Sequence, residues 1–155
     1  MKKFVVLLFG LLLVSGLHAS GSEMGFGINF GTMTDDSFSF SPFMWTAGAE
    51  LDLHFGSYFM FSPEALLVGN GFKFKEFLLF PGAIVNFTPG NFFVGGGITK
   101  GFYIGSGTSF AVTDVALKLN AGLISKNLKL TAYLITAFDD LFSHMLVGAN
   151  IGFMF

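Results

Sequence analysis

From Met24 onward the apolar positions recur at every second residue. Met24, Phe26, Ile28 and Phe30 alternate with Gly25, Gly27, Asn29 and Gly31, the period of an extended strand with one greasy face and one small or polar face. The next segment repeats the pattern with more contrast, setting Trp45, Ala47, Ala49, Leu51, Leu53 and Phe55 against Thr46, Gly48, Glu50, Asp52 and His54. Later, Val115, Leu117, Leu119, Ala121 and Leu123 alternate with Asp114, Ala116, Lys118, Asn120 and Gly122. The final segment sets Met145, Val147, Ala149, Ile151, Phe153 and Phe155 against His144, Leu146, Gly148, Asn150, Gly152 and Met154. Four less regular segments, at about 58–68, 72–87, 92–104 and 128–138, bring the total to eight strands. The breaks at 32–41, 56–57, 69–71, 88–91, 105–109, 125–127 and 139–140 carry turn chemistry. Every connection is short, which predicts a hairpin meander without crossover helices.

Two places disturb the period. Phe72 to Lys75 alternates, but Glu76 breaks the phase, residues 77–80 are apolar on both faces, and Pro81 removes a ladder donor. A bulge is expected between Lys75 and Pro81. Lys100 falls in the apolar phase of Phe92, Val94 and Ile98. Either it points outward and snorkels near a strand end, or the strand is bulged at 95–97.

Composition narrows the class. Hydrophobic residues make up 52% and charged residues 12%, against about 25% charged in an average soluble domain, and the mean hydropathy is +0.69. Residues 1–19 read as a signal peptide: Lys2 and Lys3, an apolar stretch from Phe4 to Val14, then Leu17-His18-Ala19 before Ser20. Residues 20–155 form one domain. Its longest apolar run, 77–85, is nine residues and contains Pro81, well short of the roughly 18 that a membrane-spanning helix needs. With no Cys there is no disulfide framework or thiolate metal site. Without the leader's two lysines, six Lys face ten Asp plus Glu and there is no Arg, so the chain lacks the electrostatic footprint of a nucleic-acid binder.

Alternation alone fits a soluble barrel with an apolar pocket or a membrane barrel with an apolar exterior. The minor face decides, because it carries mostly Gly, Asn, Ser and Thr with a handful of charges, as a narrow lumen requires. Closure is obligatory in lipid, where each unpaired backbone group costs several kcal/mol. The expected fold is therefore all-β: a closed, eight-stranded, antiparallel, up-and-down transmembrane β-barrel. Its exterior would contact membrane lipid.

The last strand, Val147 to Phe155, resembles the C-terminal signal of bacterial outer-membrane β-barrel proteins, with a terminal aromatic and apolar residues two, four, six and eight positions before it. The middle is similar to the small porin-like outer membrane protein beta-barrel domain group, in Leu78-Leu79-Phe80-Pro81 followed by Phe93-Val94-Gly95-Gly96-Gly97. The resemblance implies a bacterial outer-membrane location. It also implies that Ile151, Phe153 and Phe155 are read by the barrel-assembly machinery. With both termini periplasmic, the external loops would be 32–41, 69–71, 105–109 and 138–141, and only the first has length. Long ligand-binding loops like those of some relatives are missing.

Candidate chemistry sits on the minor face. Glu50, Asp52 and His54 share one side of a strand, but a spacing of roughly 6.6 Å per two residues is too wide for one metal ion without other strands. The expectation is a lumen network in which Glu50, Asp52, Glu64 and Asp114 pair with Lys118, Lys129 and either Lys73 or Lys75. The same residues, with His54, could instead line a narrow polar path for small solutes or ions. Ser143, His144 and Glu64 supply the atoms of a hydrolytic triad of a lipid-modifying enzyme, but neighbouring strand residues face opposite sides, so Ser143 and His144 cannot pair as nucleophile and base. Gly95 to Gly101 is not a phosphate-binding loop, since a strand continues where a helix is needed. The reading is a non-enzymatic envelope protein with a side-chain-filled lumen, no cofactor and no metal.

Overall fold

Strands that alternate in this way can bury only one face, and here they do so by curling on themselves. The structure, a computed structural model, describes residues 24–38, 43–71, 76–105, 111–139, 141 and 144–155. These form β1 (Met24–Thr34), β2 (Met44–Phe55), β3 (Phe59–Asn70), β4 (Glu76–Phe87), β5 (Phe92–Gly105), β6 (Ala111–Ser125), β7 (Leu128–Ala137) and β8 (Met145–Met154). Each strand pairs antiparallel with the next, and β1 pairs with β8 from Gly27–Met154 to Thr34–Val147. The result is a closed eight-stranded antiparallel up-and-down transmembrane β-barrel, without an open edge. The turns Gly56 (φ 65) and Gly90 (φ 70) use left-handed backbone, which glycine adopts without steric cost.

The outward set is apolar and exposed, including Phe26, Phe30, Val85, Ile98, Leu130 and Ile151. At the end that holds Met24 and Phe155, Tyr58 stacks on Phe87 at 6.0 Å and Phe59 lies against the same ring at 5.9 Å. At the opposite end Trp45 meets Phe77 edge-on at 6.0 Å, and its Nε1 donates to the Gly71 carbonyl at 2.8 Å. An apolar band between aromatic girdles is how barrels present themselves to a bilayer.

The expected bulge between Lys75 and Pro81 is not found from Glu76 onward. β4 keeps one unbroken register with β3 from Phe77–Gly69 to Phe87–Phe59. Pro81 sits exposed on the outer face, and its carbonyl accepts the Thr99 hydroxyl at 3.0 Å. With no N–H to donate, Pro81 falls in a gap in the β4–β5 pairing between Leu79–Phe102 and Gly82–Thr99. Nor is β5 bulged at 95–97, where pairing is regular on both sides. The irregularity lies between the Lys100–Val115 and Phe102–Val112 pairs, where Thr113 and Asp114 give β6 one extra residue. There the Gly101 N–H donates to the Thr113 hydroxyl at 2.8 Å. Lys100 keeps the outward phase.

Candidate functional site

The inward phases of β2, β3, β4, β5 and β7 meet in one buried layer towards the end that holds Met24 and Phe155. Lys129, 1% exposed, donates from Nζ to Glu50 Oε2 at 2.8 Å and to Asp52 Oδ2 at 2.7 Å. Asp52 Oδ1 accepts the Ser62 hydroxyl at 2.6 Å, and Asn86 Nδ2 donates to that hydroxyl's oxygen at 3.1 Å. The Phe93 ring closes the layer beneath the ammonium, 5.2 Å from Nζ to the ring centre. Phe93 can lie across the lumen because its cross-strand partner is Gly122. A Cβ there would come within 2.6 Å of Phe93 Cζ.

A second layer sits beside the first. Glu50 and Glu64 are direct cross-strand partners on β2 and β3, an arrangement of like charges that costs stability unless each has its own cation. The two are divided between two cations, since Glu64 accepts from Lys118 Nζ while Glu50 shares Lys129 with Asp52. The Lys118 ammonium lies 4.5 Å from the centre of the Tyr133 ring. Tyr133 leans over Gly148, its partner on β8. Next to this, the Thr46 hydroxyl donates to Asn150 Oδ1 at 2.8 Å, and Asn150 Nδ2 donates to Asn29 Oδ1 at 3.0 Å. These amides tie β8 to β1 across the seam that closes the barrel.

Towards the other end the lumen becomes apolar. Met33, Leu66, Val68, Phe80, Tyr133 and Ile135 form one buried cluster, with Met44, Leu78, Ala116 and Leu146 packed against it. All of these occupy the inward phase of their strands. The expected small and polar lining therefore holds for only part of the lumen. The signal for the rest is the run of consecutive apolar residues at that end of four strands: Leu66-Leu67-Val68, Phe77-Leu78-Leu79-Phe80, Leu134-Ile135 and Leu146-Val147. Where inside and outside are both apolar, alternation vanishes, and the sequence pattern no longer marks a face.

Of the candidate residues, the structure brings Glu50, Asp52, Glu64, Lys118 and Lys129 into the lumen. Asp114 is a correction: it is exposed, in the bulge that it forms with Thr113, where the strict alternation of β6 breaks. Lys73, Lys75, Ser143 and the leader, residues 1–19, lie outside the described residues. His54 lines a recess of about 210 Å³ with Asp52, Lys126 and Met154 at the mouth by Phe155, and its Nδ1 is buried without a hydrogen-bond partner. It does not join a group of three potential metal ligands, and no such group occurs among the described residues. Glu64 and His144 are not brought together, since Glu64 faces Lys118 while exposed His144 lies 3.9 Å from Asp36 on the opposite rim. Ile151, Phe153 and Phe155 are exposed on the outer face. Sequence reasoning singled out the charges and missed Ser62, Asn86, Phe93 and Tyr133, which complete their shells.

Chemically, this arrangement holds charges against one another and away from water. Each ammonium has carboxylate and aromatic partners, and the polar layers are backed by a dry cluster. Such a lumen fixes the register of strands far apart in sequence, Lys129 and Glu50 being 79 residues apart.

No known protein family matches the sequence, and no curated protein was found as a sequence relative. Solved structures do match. The N-terminal β-barrel domain of Pseudomonas aeruginosa OprF aligns with a TM-score of 0.53 at 14% identity, over 87% of this chain and 100% of that one. A de novo designed transmembrane β-barrel aligns at 0.51 and 10% identity, over 84% and 95%. Neisserial surface protein A aligns at 0.49 and 11% identity, over 88% and 100%. The closed eight-stranded antiparallel topology is thus the fold of small transmembrane β-barrels.

Proposed function

We propose that this chain is a small integral protein of the bacterial outer membrane, exported by a cleaved leader and serving as a non-enzymatic envelope component whose lumen does not conduct. One observation carries this reading: the lumen is filled in series by the Lys129–Glu50–Asp52 layer and by the apolar cluster around Leu66 and Phe80. A pore must keep its charges hydrated, whereas here Lys129, Asp52 and Lys118 are each 2% exposed or less. The end that holds Met24 and Phe155 faces the periplasm in this reading. The outward, exposed Ile151, Phe153 and Phe155 support their use by the barrel-assembly machinery during insertion.

The test is planar-bilayer recording of the refolded mature chain, residues 20–155, after a heat-modifiable gel shift has verified folding. The expected result is silence at the level of the bare bilayer. Discrete ion-selective steps that change on Glu50→Gln would overturn the reading and make the lumen a channel.

A further inference from the structure

The mouth beside Phe155 gathers sulfur around a histidine. Met24 and Met154 line, with His54, the recess of about 210 Å³. Met60, fully buried, is the direct cross-strand partner of His54 on β3. Met154 reaches into this place because the inward face of β1 is bare there. A Cβ at Gly27 would stand 2.5 Å from Met154 Sδ, and one at Gly25 would stand 3.2 Å from its Cε. Gly25 in turn pairs with Asp52, so the end of the Met154 side chain lies towards the Asp52 and His54 face of β2.

Which donor atoms are free decides the chemistry. The Asp52 carboxylate is engaged at both oxygens, by the Ser62 hydroxyl at 2.6 Å and by Lys129 Nζ at 2.7 Å. Asn127 Nδ2 donates to the Met154 carbonyl at 2.8 Å, and Lys126 on the lip offers no lone pair. His54 Nδ1, by contrast, is buried without a hydrogen-bond partner. The free donors are thus one imidazole nitrogen and the thioethers of Met24 and Met154. No group of three His, Cys, Asp or Glu occurs among the described residues, and methionine sulfur is what that donor set leaves out. Hard divalent cations take oxygen ligands, whereas thioether sulfur selects Cu(I).

We propose that this recess binds one Cu(I) ion through His54 Nδ1 and the thioethers of Met154 and Met24, with Met60 beside the imidazole. A single positive charge tolerates Lys126 on the lip better than a divalent ion does. Binding does not depend on the membrane reading, which only sets the compartment onto which the mouth opens.

The experiment titrates Cu(I), kept reduced by ascorbate, into the refolded mature chain, residues 20–155, with bicinchoninate as competing chelator and empty detergent micelles as the blank. The expected result is one Cu(I) taken from the chelator per barrel. His54→Gln and Met154→Leu should each weaken binding by more than about tenfold, the least that even an outer-shell partner of a metal contributes. His144→Gln and Met44→Leu, at the opposite end, should keep it. Because Cu(I) is diamagnetic, nuclear magnetic resonance of the unsubstituted barrel gives a readout that needs no variant to fold: the methyl signals of Met24 and Met154 and the His54 ring nitrogen should shift on binding. Affinity unchanged in both mouth variants, equal loss in the distant controls, resonances that do not move, or displacement by equimolar Zn(II) would overturn the proposal. A barrel that takes no Cu(I) from the chelator sinks this inference alone, whereas channel activity in bilayers sinks the sealed-lumen reading and leaves the metal site standing.

Discussion

Removing the Lys129 ammonium is the sharpest test of the lumen as a sealed structure. Lys129→Met keeps the length of the side chain and its stem against Phe93, but leaves Glu50 and Asp52 facing each other without a cation. The loss includes two charge-assisted hydrogen bonds, at 2.8 and 2.7 Å, each contributing about 1.5–3 kcal/mol. The ammonium's contact with the Phe93 ring adds up to about 2 kcal/mol when desolvated. These terms overlap, and breaking a buried pair by deleting one partner costs about 3–5 kcal/mol in total. That range is the expectation for Lys129→Met. Neutralising the stranded carboxylates should reverse most of it, so Lys129→Met with Glu50→Gln and Asp52→Asn should unfold close to the parent. Urea titration in phospholipid vesicles, read by the mobility of unheated samples on gels, measures both variants. A loss below about 1 kcal/mol in the single variant would mean that water reaches the carboxylates. A sealed lumen could not then be argued from their burial.

Two other substitutions probe the wall and the packing. Leu117→Lys places a cation on the outer face of the middle of β6, where Leu117 pairs with Ile98 and Thr136. It should cost about 2–4 kcal/mol in the same titration, and an unchanged midpoint would put the position outside the hydrocarbon. Gly148→Ala drives a Cβ into the Tyr133 ring, and overpacking of this kind costs about 1–3 kcal/mol. Recovery in Gly148→Ala with Tyr133→Leu would assign that cost to the ring, whereas additive losses would not.

Most of the fold was legible because alternation reports directly which face a residue takes. β2 was expected at 45–55 and is found at Met44–Phe55, and β1 pairs its Gly and Asn minor face with the minor face of β2, as the alternation implies. Legibility failed in two physically distinct ways. Asp114 has the inward parity of Lys118 and Asn120, but it lies in a bulge, where parity no longer reports the face, and a bulge leaves no mark in a run such as Ala-Val-Thr-Asp-Val. Leu66, Phe80 and Ile135 were hidden because their strands are apolar on both faces at that depth. The charge network was legible as a set but not as pairs. Which carboxylate meets which lysine depends on the stagger of strands around the barrel, and alternation along a single strand does not carry that quantity. Glu50 and Asp52 therefore share Lys129, while Glu64 takes Lys118.

The two kinds of lumen filling depend on each other. Five charges in a barrel of this width carry three acids against two bases, an arrangement that bulk water would hydrate and weaken. The apolar cluster of Met33, Leu66, Val68 and Phe80 removes water from one side, and in a low-dielectric surrounding each remaining ion pair is stronger but also more costly to break. The ion layer in turn anchors strands β2 and β7, which are not neighbours in the sheet, so that the apolar side chains of β3, β4 and β7 keep a common depth. A device for passing solutes would have to disrupt both layers, and the same contacts that close the lumen are the ones that hold the cylinder in shape. That coupling is the physical reason to expect a silent barrel.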